Sequence, residues 1–323
     1  MRAARHHRYG SPEVLQVDEV PPPSPGRGEA LIRVEAAALN PKDLLIRQGK
    51  GAALSRFGLP LPVAQDFAGT LAKLGPGTEE FGIEVGEPVY GMLSAFHLGA
   101  CAELVTVRRD EVARRPVGLD AAEAAALPLV ALTALQALRD DARLTPGDRV
   151  LVHGASGGVG TVAVQIAKAF GAHVTASCSE RNHALVRELG ADACVDYRAQ
   201  APSELHARFD VFFDVYGNQP FSVARRVLTP EGRHVSTIPD PANFAWQAGT
   251  GLRARTPGLR GPRTAVVLVR DSRRDLNALA RLVADGRLKP VLDRRFGLEE
   301  IAEAQAFLET KRARGKVVID LAP

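Results

Sequence analysis

The first hundred residues alternate short apolar runs with turns. The runs 14–20, 29–36 and 103–107 have β character, and Pro/Gly clusters separate them: Pro21-Pro22-Pro23-Ser24-Pro25-Gly26, Gly75-Pro76-Gly77 and Gly86-Glu87-Pro88. This pattern predicts a small, irregular β-barrel. Near residue 119 the period changes, and 119–138 is rich in Ala and Leu at helical spacing. From Arg149 the pattern predicts strand 149–153, helix 158–170, strand 173–177, helix 181–189 and strands 193–196 and 211–215. Helix 220–228 and strand 232–236 follow. Short apolar strands separated by helices indicate a parallel α/β sheet. Residues 240–263 are rich in Pro, Gly and Arg, hold the single tryptophan, Trp246, and read as a mobile loop at a cleft rim. Strand 264–269, helix 273–284 ended by Asp285-Gly286, helix 298–308 and strand 316–321 complete the chain.

Length and composition narrow the class. A chain of 323 residues exceeds one ordinary core, so two domains are expected. With 46% hydrophobic and 24% charged residues it has a globular balance, which excludes disordered, collagen-like and coiled-coil chains. The apolar stretch 121–138 is broken by Glu123 and Pro128 and is too interrupted to span a bilayer. The basic N-terminus lacks an apolar core and is not a secretory signal. Cys101, Cys178 and Cys194 lie far apart with no CxxC spacing, which offers no disulfide framework and suits a reducing cytoplasm. The net charge is +4, but only seven of the 41 basic residues are Lys and no basic run is long. Nucleic-acid binding needs clustered charge, so a nucleic-acid partner is not expected.

One segment carries chemistry. Val150-Leu151-Val152-His153 is an apolar strand, Gly154-Ala155-Ser156-Gly157-Gly158-Val159-Gly160 is a glycine turn, and a helical stretch follows from Thr161. Glycines let the backbone turn tightly and approach a pyrophosphate, and the helix N-terminus presents N–H groups and a positive dipole end to it. The strand–turn–helix–strand setting makes this a dinucleotide-binding fingerprint. The end of the next strand selects the cofactor. An NAD enzyme places a carboxylate there; this chain has Ser177, with Ser179 and Arg181 beside it. Hydroxyls and a guanidinium suit a 2′-phosphate, so NADPH is favoured. Glu180 leaves the acidic alternative open if the strand ends a few residues later.

Many short matches in order now resemble one family. They are Asn40-Pro41-Lys42-Asp43 with Arg47-Gln48-Gly49, Asp66-Phe67-Ala68-Gly69, Val89-Tyr90-Gly91, Gly99-Ala100-Cys101-Ala102-Glu103 and Ala126-Leu127-Pro128 with Leu132-Thr133-Ala134. Leu189-Gly190-Ala191-Asp192 with Asp196-Tyr197, Phe209-Asp210 and Gly315-Lys316-Val317-Val318 follow. Over nearly its whole length the chain resembles the medium-chain dehydrogenase/reductase superfamily, in its zinc-free quinone oxidoreductase branch. The resemblance implies an α/β protein with a GroES-like catalytic barrel, 1–118 and 270–323, and a doubly wound Rossmann NADPH-binding domain, 119–269. It implies an active cleft between them and a homodimer paired through the sheet edge at 264–269.

By position, the resemblance assigns Asn40 to the acceptor carbonyl and Asp43 with Arg47 to orienting that loop. Gln65 and Asp66 lie on the cleft floor, and Thr133 near the nicotinamide. Tyr197 falls on the adenosine phosphate side, with Gly217, Asn218 and Thr237 bordering the cofactor. Zinc-dependent relatives place a Cys in the segment matching Asn40–Asp43 and a His-Glu pair where this chain has Gln65-Asp66, so no metal site is expected. Reduction of a quinone, or of a double bond conjugated to a carbonyl, needs less polarisation than alcohol oxidation and is the reaction expected. The acceptor pocket is expected from loops 47–57, 96–99 and 242–263. Two departures stand out. Residues 44–51 contain no tyrosine to donate a proton, which weakens an enoyl-thioester reductase reading without removing it. Ala64 stands where the family usually has Gly. A non-catalytic NADPH- or RNA-binding role is the remaining alternative.

Overall fold

The structure, a computed structural model, describes residues 1–50, 58–94, 97–255 and 261–321. The expected pocket segments 51–57, Phe96 and 256–260 lie outside them. The chain divides into two compact units, Met1–Leu132 with Arg270–Gly286 and Pro290–Pro323, and Thr133–Val269 with Arg287–Lys289.

The first unit begins with strands β1 (Arg2–His6), β2 (Leu15–Glu19), β3 (Glu29–Leu39), β4 (Leu61–Pro62), β5 (Asp66–Leu74), β6 (Pro88–Met92), β7 (Leu104–Arg108) and β8 (Val112–Arg114). A short helix, α1 (Pro41–Arg47), follows β3 directly. In β3, Ala30, Ile32 and Val34 alternate inward, then Ala36 to Leu39 are buried without a break. The change has a cause: helix α2 (Ala121–Ala125) lies against β3 and β5 and covers their second face. The compact unit that holds the barrel runs on to Leu132, whereas the sequence places the boundary at 118. Pro128 splits the single helix expected over 119–138 into α2 and α3 (Pro128–Gln136), and a π-helical turn at Ala137–Asp141 ends the run.

The second unit carries β9 (Arg149–His153), α4 (Gly158–Ala169), β10 (His173–Cys178), α5 (His183–Glu188), β11 (Ala193–Asp196), β12 (Phe209–Asp214), α6 (Phe221–Ala224), β13 (Leu228–Ser236), α7 (Pro241–Arg255) and β14 (Arg263–Val266). Among the described residues its sheet runs β11-β10-β9-β12-β13-β14, all parallel. The order reverses beside β9, which is the doubly wound dinucleotide topology. Residues 287–289 belong here too: Gln165 Nε2 donates to Lys289 O at 2.9 Å, and Lys289 N donates back to Gln165 Oε1 at 2.9 Å.

The chain returns to the first unit through α8 (Arg273–Ala284), β15 (Leu292–Gly297), α9 (Ile301–Glu309) and β16 (Lys316–Asp320). The larger sheet there runs β15-β16-β3-β5-β6-β8, with β7 also on β3. Its core includes Ile32, Phe67, Leu71, Val89, Val105, Val317 and Ile319. Two glycines allow strands to approach closely: a Cβ on Gly69 would lie 2.0 Å from Arg33 O, and one on Gly91 2.0 Å from Glu111 O.

The segment read as a loop at 240–263 is a helix over Pro241–Arg255. Its start was written in the chain: Asp240 Oδ1 accepts from Asn243 N at 2.7 Å, ahead of Pro241 in the first turn. No apolar stripe announced it, because the helix is solvent-exposed along most of its length. Two of its side chains close the sheet edge. Thr250 Oγ1 accepts from Thr264 N at 3.3 Å, and Gln247 Oε1 accepts from Val266 N at 2.9 Å. The edge expected to pair two subunits thus has these two donors taken within its own chain.

Candidate active site

Each unit holds a polar centre at the positions the sequence singles out. In the second unit, β9 ends at His153 and the chain turns at Gly154, whose φ of +83° falls in the region that favours glycine. Gly154 N and Ala155 N both donate to Ser177 O, at 3.0 and 3.2 Å, locking the turn to the end of β10. A Cβ on Gly160 would lie 2.2 Å from Gly154 O, so helix and loop touch there. Gly157 is different: only Gly154 O, at 3.5 Å, would meet its Cβ. Gly157 starts α4 with no side-chain cap, and Ser156, Gly158, Val159 and Gly160 surround that helix N-terminus. A cradle open at Gly157 and closed at Gly160 fits a dinucleotide pyrophosphate.

The residues expected around it are placed unequally. Ser177 is fully buried, and its Oγ lies 3.1 Å from His153 Nδ1, so in this structure the hydroxyl faces inward. Ser179 is also buried and accepts from Asn182 Nδ2 at 3.2 Å; the same amide donates to Ser156 Oγ at 2.9 Å. Asn182 therefore ties the glycine loop to the segment after β10, a link the sequence reading missed. Arg181 and Glu180 are exposed. Tyr197 is exposed as well, edge-on to His153 at 6.1 Å, with the Arg198 guanidinium 5.8 Å from its ring. Asn218 Oδ1 lies 2.9 Å from His153 Nε2, and Asp214 fixes the Gly217 turn by accepting from Gly217 N at 2.8 Å. Burial lowers the His153 pKa, with Asp214 opposing. Thr237 donates to Val215 O at 3.0 Å, and Thr133 is buried on α3 in this same unit.

The first unit's centre lies where β3 meets α1. Asn40 caps α1, Pro41 occupies its first turn, and Asp43 Oδ2 accepts from Asn40 N at 2.7 Å. Asn40 Nδ2 donates to Asp66 Oδ2 at 2.9 Å, and Lys316 Nζ donates to Asn40 Oδ1 at 2.6 Å and to Asp66 Oδ2 at 3.0 Å. Asp66 Oδ1 accepts from Leu129 N at 2.8 Å. Gln65 Nε2 donates to Leu93 O at 3.0 Å and Ser94 O at 2.6 Å, while Lys42 Nζ donates to Gln65 Oε1 at 2.5 Å. Burial pushes Asp43 up to about 6, against the Asn40 N–H and the two lysines. Ala64, just before Gln65, sits at φ +69°. This is the position where the family pattern has Gly, and the backbone conformation explains that preference.

Two expectations change here. Both ends of the Asn40 amide are engaged inside the cluster, by Asp66 and Lys316, rather than open to an acceptor carbonyl. Arg47 does not pair with Asp43: it donates to Gln305 Oε1 at 2.7 Å, to Gly10 O and to Glu309. Lys42 and Lys316 belong to the centre and were missed, although both stand inside the motifs Asn-Pro-Lys-Asp and Gly-Lys-Val-Val.

Residues 26–124 match the alcohol dehydrogenase GroES-like domain, and residues 189–319 match a zinc-binding dehydrogenase model. The chain is 34% identical to the chloroplastic quinone-oxidoreductase QR1 of Triphysaria versicolor, over 99% of this chain and 98% of that one. The chain belongs to the medium-chain dehydrogenase/reductase superfamily, in its quinone oxidoreductase branch. It is also 34% identical to a 2-methylene-furan-3-one reductase of Solanum lycopersicum, over 100% of this chain and 80% of that one. The quinone oxidoreductase of Escherichia coli, solved with NADPH, superposes with a TM-score of 0.85 at 25% identity, over 99% of this chain and 100% of that one. As a member of this superfamily the chain is an oxidoreductase that uses a nicotinamide cofactor.

The second family description raises zinc, and the donor set does not fit it. At the corresponding place the side chains are two amides and a carboxylate, and that carboxylate already holds the Lys316 ammonium. Among the described residues no group of three or more His, Cys, Asp or Glu converges. No helix among them is long and apolar enough to cross a membrane.

Proposed function

We propose that this protein reduces quinones or α,β-unsaturated carbonyl compounds with NADPH and without a metal. The observation that carries the reading is the polar centre of the first unit. It offers the Lys42 ammonium, aimed by the pinned Gln65 amide, at the place where zinc-dependent relatives keep their metal ligands. Such a donor suits an oxygen that gains negative charge as the acceptor is reduced.

The Gly154–Gly160 loop and the start of α4 would hold the pyrophosphate, with Ser179, Arg181 and Tyr197 on the adenosine side. Once bound, the cofactor supplies a hydride. Arg181 is exposed and suits a 2′-phosphate, and this supports NADPH over NADH. Ser179 contributes only if its hydroxyl turns outward from Asn182. The barrel residues orient the acceptor: Lys316 and Asp66 hold Asn40, and the Leu93 and Ser94 carbonyls hold Gln65.

The test is direct. Purified protein is mixed with NADPH or NADH and either 9,10-phenanthrenequinone or a small enone, and cofactor absorbance is followed. Turnover with NADPH and an acceptor of either class is expected. Absence of turnover across a broad acceptor panel, or a clear preference for NADH, counts against the corresponding part of the reading.

A further inference from the structure

The centre beside Asn40 contains two ammonium groups in different circumstances. Lys316 is buried and neutralised by Asp66. Lys42 is partly buried, and among the described residues its one polar partner is Gln65 Oε1 at 2.5 Å. Gln65 is itself pinned by the Leu93 and Ser94 carbonyls, so that oxygen is a fixed point that aims Nζ. The nearby carboxylates are committed elsewhere: Asp66 accepts from Asn40, Lys316 and Leu129, and Asp43 Oδ2 accepts from Asn40 N.

None of the other six lysines shares this setting. Lys50, Lys73 and Lys311 are exposed, and Lys168, Lys289 and Lys316 are paired with Asp192, Glu188 and Asp66. A recessed cation with no salt bridge among the described residues is costly unless a ligand uses it. An ammonium has three donors, and Gln65 takes one. Burial also lowers the pKa of Lys42, with Asp43 and Asp66 opposing, so it gives up a proton more readily than an exposed lysine.

We propose that Lys42 is the catalytic acid of the reduction, binding the acceptor oxygen and delivering a proton to it. This rests on the reaction assigned above. The hydride brings two electrons and one hydrogen, leaving negative charge on the acceptor oxygen, as an enolate from an enone or a hydroquinone anion from a quinone. The Lys42 ammonium stabilises that oxygen. Its N–H bond breaks as the O–H bond forms, the electron pair stays on nitrogen, and the amine regains a proton from water. An enol formed this way tautomerises in solvent.

Two measurements test it. In turnover, Lys42→Met is expected to lower kcat by about 10²-fold with KM little changed, the size of a general-acid contribution. Lys42→Arg keeps the charge but releases no proton near neutral pH, so it is expected to stay slow, and Lys42→Ala is expected to regain rate with added methylammonium. The second measurement uses no cofactor. 4-Nitrophenol serves as a mimic of the charged oxygen, and its visible absorbance reports ionisation. Bound to the native chain it is expected to ionise with its acid constant raised about tenfold, and the shift is expected to vanish in Lys42→Met. Thermal melts check that the variants fold. A Lys42→Met enzyme within a few-fold of the native kcat, no methylammonium rescue, or 4-nitrophenol spectra identical in both proteins overturns the proposal. If the native chain turns over no quinone or enone, the reaction assignment fails, and the 4-nitrophenol comparison alone decides whether Lys42 serves an oxyanion.

Discussion

Lys316 Nζ lies 3.0 Å from Asp66 Oδ2, and both side chains are buried in the first unit. The pair joins β16, near the end of the chain, to β5, and Asn40 bridges the two. Removing one partner strands a buried charge, whereas removing both does not. Lys316→Met and Asp66→Leu are each expected to cost about 3–5 kcal/mol, and the double variant clearly less than the sum. Urea unfolding of the four proteins gives the coupling energy, and additive losses would show that the two charges do not act as a pair.

The glycine loop predicts a split between two similar substitutions. A methyl group at Gly160 meets Gly154 O at 2.2 Å, so Gly160→Ala forces backbone apart and is expected to cost about 1–3 kcal/mol of stability. At Gly157 the methyl group has room within the protein. Gly157→Ala is expected to keep native stability and lose NADPH affinity, because the group would stand where the pyrophosphate approaches. Fluorescence titration and thermal melts separate the two, and unchanged NADPH affinity in Gly157→Ala would place the phosphates elsewhere.

Ala64 is a second local conflict. Its left-handed backbone costs an L-residue about 1–2 kcal/mol, while glycine loses more freedom on folding, about 0.5–1 kcal/mol. Ala64→Gly is therefore expected to raise stability by up to about 1 kcal/mol. A destabilised variant in urea unfolding would mean that the buried methyl packing outweighs the strain.

The parallel sheet was legible because most of its strands contain a short apolar run ended by a turn, and the glycine turn because its strand–turn–helix pattern is local. The barrel was less so. β5 and β6 are interrupted by Gly69 and Gly91, which serve close strand contacts, and β15 carries the charged run Asp293-Arg294-Arg295, two of whose side chains are exposed. Helix α7 was hidden because almost none of it is buried. Position within a motif drew attention to Gln65 and Asn40, which the structure brings into one polar cluster, but not to the partners that hold them. That Lys316 would meet Asp66 across 250 positions depends on β16 pairing with β3, which no local pattern encodes. The direction of the Ser177 side chain was illegible for a related reason: it ends β10 as expected, but its hydroxyl turns inward to His153.

Asp43 gives the fold a pH dependence of defined sign. Burial raises its carboxyl from 3.8 in the ordinary state to about 6. The folded chain then holds a proton that the unfolded chain has released, so the stabilisation is fully present below pH 3.8 and is lost as pH rises through about 6. The full difference is on the order of 3 kcal/mol. Asp43→Asn removes the titration. Between pH 4.5 and 7 the native chain is expected to lose stability relative to this variant in urea unfolding; a constant difference across that range would show that Asp43 stays ionised.

The closed edge of the second unit's sheet makes the last prediction. An unpaired edge strand invites another strand, and chains protect such edges by covering their donors. Here Gln247 and Thr250 of α7 accept from the N–H groups of Val266 and Thr264. The exposed Gln247 costs little to remove, and each lost bond is worth about 0.5–1.5 kcal/mol. The double variant Gln247→Ala, Thr250→Val is expected to melt at a lower temperature and to associate more strongly than the native chain in sedimentation at matched concentrations. A native dimer with amides 264 and 266 protected from hydrogen exchange only while dimeric would mean that α7 yields its two acceptors to a second copy.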